Sequence, residues 1–350
     1  MPLIPAPSPA RARTSLARAR SARRMIVLLG TLAMGWAWPA PALAGDGVLE
    51  INMTCAVQTG CFAGDAAGFP VTIDGSAGRS YRLTSDLLIE DRDTTAILIT
   101  RRDTSIDLNG FEIVLTLCQV LSCQPVAGTG FGISADGVLG ISVKNGSITG
   151  MGSDGIHLGS QALVSDLRVR WNGGSGIWVA IGSTVSGTTA YQNGDDGISA
   201  GVGSTLSGNT AFLNAVTGIN GGEGTFTSGG STLSGNTAYQ NGGAGIFASF
   251  GSTVSGNTAF KNGDDGIRTS AGSTVSGNTA YDNSGDGIDA SFGSTVWGNT
   301  LRENTGFGLN LSSQSGYREN VISINTAGTV NGTGLVNLGN NACNGSTTCP

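Results

Sequence analysis

Apolar residues along most of this chain come in bursts of one to three, separated by Gly, Asn, Ser, Thr and Asp, and the bursts recur. A Gly followed by Ile or Leu stands at Gly155, Gly176, Gly197, Gly218, Gly245, Gly266, Gly287 and Gly308, at intervals of 21, 21, 21, 27, 21, 21 and 21 residues. The single 27 marks a six-residue insertion around Gly221 to Phe226. Superposed copies give three apolar columns: Ile156 to Leu309 after the Gly, then Val164, Val185, Leu206, Leu233, Val254, Val275 and Val296, then Val169, Ala190, Ala211, Ala238, Ala259, Ala280 and Leu301. Three short apolar segments per 21 residues predict three short strands and three turns, with no competing helical period. No such turn can bury its own face, so the turns must stack, and the result is an all-β parallel β-helix. Looser copies at Gly132-Ile133 and Gly334-Leu335 extend it to about ten turns, a rod of about 50 Å at the usual strand spacing. A calcium-binding β-roll of nine-residue repeats does not fit this period.

Two polar columns belong to the same scaffold. Asn209, Asn236, Asn257, Asn278 and Asn299 stand where Leu167 stands in an earlier turn, so they are expected to point inward; Asn172, Asn193, Asn214, Asn241, Asn262, Asn283 and Asn304 form the second column. Stacked amides there can pass hydrogen bonds from turn to turn. Residues 45–95 lack the period and are read as an N-terminal cap with strands at Val48 to Asn52, Val71 to Ile73 and Tyr81 to Ile89. The helix follows over 96–340, and 341–350 forms a closing loop. Caps are expected because an open end would expose strand edges.

Composition changes the picture at the N-terminus. Arg-rich residues 1 to 24, the apolar stretch Met25 to Ala37 and the Ala42-Leu43-Ala44 motif read as a signal peptide over 1–44, cleaved before Gly45. The apolar run is too short for a membrane span, and Arg23-Arg24 leaves the export route open. Removing that segment takes six Arg and no acid, so 12 basic residues then face all 24 acids, a formal −12 in place of −6. Such a chain has no electrostatic case for nucleic acid or anionic lipid; cations and neutral partners suit it better. The six Cys fall in close pairs, Cys55 with Cys61, Cys118 with Cys123 and Cys343 with Cys349. Among fifteen possible connectivities, local spacing and an oxidising compartment favour these three staples, and without a CxxC neither zinc nor thioredoxin chemistry is supported.

The 21-residue turns and Asn columns, with Ser105-Ile106-Asp107-Leu108-Asn109-Gly110-Phe111 and Val143-Lys144-Asn145-Gly146-Ser147-Ile148, resemble secreted bacterial right-handed parallel β-helix repeat proteins of the pectin-lyase-like superfamily. The resemblance covers roughly residues 96 to 340 and implies the right-handed coil. For activity it implies only a range, from polysaccharide lyases, glycoside hydrolases and uronate epimerases to tailspikes and adhesins.

Chemistry is sought where the repeat breaks. The residue after the buried Ile varies: His157, Trp178, Ser199, Asn220, Phe247, Arg268, Asp289 and Asn310. His157, Trp178 and Phe247 are candidate substrate-binding residues of a groove, against the alternative of an ordinary solvated face. Acids lie just upstream at Asp154, Asp195, Asp196, Asp264, Asp265 and Asp286. They are either turn residues bonding local backbone or, where adjacent turns bring Asp264, Asp265, Asp286, Asp289 and Arg268 together, a site. Asp265, Arg268, Asp286 and Asp289 are the catalytic candidates: two carboxylates for glycoside hydrolysis, or Arg as base in a uronate lyase. For the lyase, Asp264, Asp265 and Asp286 are candidate ligands of a calcium ion, the one cofactor considered. Against an enzyme stand the absence of the Asp-Pro-His run of alginate epimerases and of the Arg-x-Lys run of polygalacturonases, and the single His. A further column, Arg170, Tyr191, Phe212, Tyr239, Phe260, Tyr281 and Arg302, is expected to face outward as an aromatic stripe. It is either a sugar-stacking or protein-docking track or a simple cover for the sheet.

The expectation is therefore a secreted, periplasmic or extracellular β-helix protein that binds or processes an extracellular or envelope polysaccharide. The alternative is a non-catalytic structural or adhesive rod, with oligomerisation through the stripe.

Overall fold

A computed structural model describes residues 47–75, 79–120, 123–223, 229–347 and 349. Residues 1–44, read above as a signal peptide, and half of the six-residue insertion lie outside the described residues. The chain divides into units 1–44 and 45–350, of which the second is described.

Every coil contributes strands to three parallel ladders. The first, the Ile ladder, has twelve strands, from Val71–Ile73 through Ile156–Leu158, Ile246–Ala248 and Ile288–Ala290 to Gly328–Asn331. The other two share one 23-stranded sheet: a Val ladder (Thr184–Ser186, Thr205–Ser207 and their successors) and an aromatic ladder (Thr189–Tyr191, Thr210–Phe212 and theirs). Leu163–Arg170 runs unbroken through both, pairing with Thr184–Ser186 and with Thr189–Tyr191. The register shifts only locally, where Gly201 meets Glu223 at the insertion, and Ile lies on Ile, Val on Val and Ala on Ala. The reason is the period-two alternation of a strand: a slip of one residue would expose every core side chain.

The core is a column one coil wide. Ile246, Ala248, Val254 and Ala259 are all 0% exposed, and their counterparts above and below are buried too. Burying each Ile is worth roughly 1.5–3 kcal/mol, gained only when the next coil is in place. The inward Asn residues complete the core. Asn257 Oδ1 accepts from the backbone N and the Nδ2 of Asn236 (2.9 Å each), while its own Nδ2 donates to Asn278 Oδ1 (3.0 Å) and to the Leu233 carbonyl (2.9 Å). A fully satisfied amide can stay buried where an unsatisfied one could not. A third polar column, Ser183, Ser204, Ser231, Ser252, Ser273, Ser294 and Ser315, is buried or nearly so, and each Oγ accepts the backbone N–H of the preceding coil. Sequence patterning did not single it out, because Ser is frequent throughout the loops.

The Gly before each Ile is required by close approach, not by a turn. A Cβ at Gly245 would lie 2.6 Å from Asn262 Nδ2 and 2.7 Å from the Gly266 carbonyl oxygen, whereas the bend residue Gly256 has φ +64° and open space.

Coiling begins before residue 96. Val71–Ile73 pairs with Ile97–Ile99, and Val48–Ile51 pairs with Ser80–Leu83, which pairs with Ser105–Asp107, all parallel. These early coils account for twelve rungs where the regular repeat predicts about ten. The short helix Met53–Gln58, N-capped by Asn52 through Cys55 N, places Ala56 in the core at the N-terminal end. All three predicted disulfides are formed.

Candidate functional site

The middle residue of each Ile-ladder strand projects outward between two buried neighbours, so Ser134, His157, Trp178, Ser199, Asn220, Phe247, Arg268, Asp289 and Asn310 follow one another in register. Two constellations stand on this column.

The first surrounds His157. Asp154 Oδ1 accepts the backbone N–H of Ser175 in the next coil (2.8 Å), which leaves Oδ2 to hold His157 Nδ1 at 2.8 Å. The imidazole stacks on Trp178 (4.3 Å between centroids, 10° between planes) and meets Phe131 at 5.2 Å. Its Nε2 end points toward Asp136, 3.8 Å away and largely exposed. The ring is thus fixed between two aromatic groups and two carboxylates, with its outer nitrogen facing solvent, the arrangement a proton-transfer or hydrogen-bonding group needs. Phe131 and Asp136 escaped the sequence reading because they flank the loose copy at Gly132-Ile133. Only the spatial neighbourhood of His157 reveals them.

The second surrounds Arg268. Its guanidinium lies 3.2 Å from Asp264, 2.9 Å from Asp265 and 3.5 Å from Asp289. Asp265 is buried, with Oδ1 accepting Asp286 N (2.8 Å) and Oδ2 facing Arg268 as an ion pair off the line of a hydrogen bond. Burial pushes its carboxyl up to about 6, opposed by the Asp286 N–H and by Arg268. Asp289 is also raised, chiefly by burial, while its three acids together hold Arg268 above the usual range despite partial desolvation.

Of the four catalytic candidates, Asp265, Arg268 and Asp289 meet. Asp286 stands beside them: its charge helps to raise Asp289, and its Oδ1 accepts Phe307 N at 2.6 Å. Asp154, Asp196, Asp265 and Asp286 all do this, each taking a backbone N–H one coil further on, so their bonds are between coils and not local to the turn. Among the described residues no group of three or more His, Cys, Asp or Glu gathers to hold a metal; of the three candidate calcium ligands, Asp264 and Asp265 each turn an oxygen to Arg268, and Asp265 and Asp286 each give one to a backbone amide.

The aromatic stripe also differs from a sugar track. Tyr191, Phe212, Tyr239, Phe260 and Tyr281 stack face to face at 4.7–4.9 Å and within 6° of parallel. Arg170 stands over the Tyr191 end and Arg302 over the Tyr281 end, at 6.0 and 4.7 Å. Every ring face is therefore occupied and only edges reach solvent, whereas a sugar stacks on a face. These five residues cover the sheet.

Between the constellations, Asn220 Nδ2 donates to Asp196 Oδ2 (3.0 Å), Ser199 is buried, and Phe247 is half-buried with Gly222 in close approach. No helix among the described residues is long and apolar enough to cross a membrane.

Residues 129–274 and 184–327 match the family model described as "Right handed beta helix region", together more than half of the chain. No curated protein matches the sequence. Among solved structures, the A-module of the Azotobacter vinelandii mannuronan C-5 epimerase AlgE6 is similar at 14% identity and TM-score 0.54, over 75% of this chain and 91% of that one. The Dettilon tailspike protein is similar at 14% identity and TM-score 0.54, over 82% of this chain and 60% of that one. The receptor binding domain of the Siphovirus 9NA tailspike is similar at 9% identity and TM-score 0.50, over 83% and 76%. At these identities the likeness is one of fold.

Proposed function

Because this chain belongs to the right-handed β-helix family, whose coil sets outward side chains in register, we propose that it binds a polysaccharide along the outer column of the Ile ladder, from His157 to Asp289. The observation that carries this is the contrast between faces. The Val and aromatic ladders repeat Thr, Ser and Tyr or Phe almost unchanged, while the Ile ladder presents a different outward side chain at each rung from His157 to Asp289. A surface that only had to stay soluble would have no reason to seat a stacked His–Trp pair and a partly buried ion-pair network on one strip. A mannuronan epimerase and a tailspike receptor binding domain among the similar structures support a polymeric sugar as the ligand class. The three disulfides support an oxidising, extracytoplasmic setting.

The test is retention in affinity gels carrying a panel of neutral, cationic and anionic glycans. Trp178→Ala is expected to lower retention about two- to tenfold, the scale of one aromatic contact, and Tyr239→Ala to leave it unchanged. If no glycan retards the native protein, the binding reading fails. The second reading, a non-catalytic rod, is favoured by the near-identity of the other two ladders, and it predicts that outcome.

A further inference from the structure

We infer that the glycan taken by this face carries amino groups, and that polyuronates are rejected. The inference rests on the binding reading above and adds the charge of the ligand. From Ile133 onward, Arg268 is the only Lys or Arg within four residues of any Ile-ladder strand. Its guanidinium is already claimed by three carboxylates at 2.9, 3.2 and 3.5 Å. A uronate arriving there would have to displace a partner that is covalently held at short range, and would bring a fourth negative charge into a partly desolvated cluster. His157, the one other group able to carry positive charge, sits between Asp154 and Asp136.

Carboxylates on the same strip, by contrast, are open to solvent. The Asp136 side chain is 82% exposed beside the stacked His157–Trp178 pair, Asp195 is exposed one rung beyond Trp178, and Asp264 is 43% exposed at the second constellation. Trp178 stacks on a ring through one face, toward His157, and with an exposed carboxylate one rung on it accommodates a sugar ring that bears an ammonium group, the sugar stacking while the charge is met at its rim. The strip is bounded on its N-terminal side: within the same four residues the rung at Ile97–Ile99 has Arg101 and Arg102 against Asp93 and Asp103, and these two Arg border Gly137 and Val138, so the acidic bias is unopposed only beyond Asp136.

The experiment compares retention of the full mature chain by a soluble glucosamine polymer, a neutral glucan and a polyuronate, at pH 6 and low salt. The expected order is glucosamine polymer, then neutral glucan, then polyuronate, with the differences shrinking at high salt. Whole-molecule charge would give the same order, so two charge-matched variants separate the causes. Asp136→Asn with Asp195→Asn is expected to lower retention by the glucosamine polymer on the order of fivefold or more and to spare the neutral glucan. Asp166→Asn with Asp282→Asn, which removes the same charge from exposed corners away from the strip, is expected to change little. Equal effects of the two pairs, or a polyuronate held as well as the glucosamine polymer, would overturn the inference while leaving the binding reading intact. Failure of all three polymers would overturn both.

Discussion

A carboxylic acid with no solvent on either side needs a reason to be there, and Asp265 has two: the Asp286 N–H on one oxygen and Arg268 beside the other. Neither fully offsets its burial, so the folded chain holds the proton up to about 6, above the ordinary 3.8. The stabilisation that protonation gives is complete below the ordinary value and is lost as pH rises through the folded one. Asp265→Asn keeps an oxygen for the Asp286 N–H and cannot titrate. The melting temperature of the native protein minus that of the variant is therefore expected to fall between about pH 4 and 6.5 and then level off. A difference that is flat or rises over this window would show the carboxyl to be charged throughout. That Asp265 and Arg268 would meet was legible from their three-residue spacing across Gly266, and that Asp289 would join them from its place in the adjoining repeat. The direction of each oxygen was not, since the amide that claims it lies 21 residues away.

At the scale of elements, the columns Ile, Val, Ala and Asn could be read because identity and period coincide: a position that is apolar at every turn is buried at every turn. Ring orientation could not. The sequence places five aromatics in register but does not say whether they lie flat on the sheet or stand on edge, and that choice decides whether a ligand meets faces or rims. Standing on edge makes them a structural unit. Tyr239→Ala breaks two ring contacts, at 4.8 and 4.9 Å, and is expected to cost about 2 kcal/mol in denaturant unfolding. Tyr239→Phe, which restores the pattern of the neighbouring Phe212 and Phe260, is expected to cost little. Equal losses for both would place the effect in the hydroxyl and not in the stack. The first coils were illegible for a different reason. Val71, Ile97 and Ile133 pair in one ladder although they lie 26 and 36 residues apart, because long corner excursions interrupt the beat.

Across the whole molecule, each coil touches only the coil above and the coil below, so stability is close to a sum over neighbours. Removing residues 252–272, one full period from Ser252 to Gly272, joins Gly251 to Ser273 and leaves every column in register. Its expected result is a folded β protein whose melting midpoint drops by only a few degrees, at ~2–4 °C per kcal/mol for a chain of this size. Removing 252–261 instead sets Ile267 where Asn257 stands, out of register with every apolar column, and is expected to abolish cooperative unfolding. Similar behaviour of the two deletions, followed by circular dichroism on heating, would deny the modular account.

The near-identity of rungs such as those at Val254 and Val275 also bears on how such a chain changes over generations. A gene that encodes interchangeable units invites unequal recombination, and every product that gains or loses whole units still closes its hydrogen bonds. Length is then free to drift in steps of one coil, while the ends and the non-repeating strip stay fixed by the residues that only they contain.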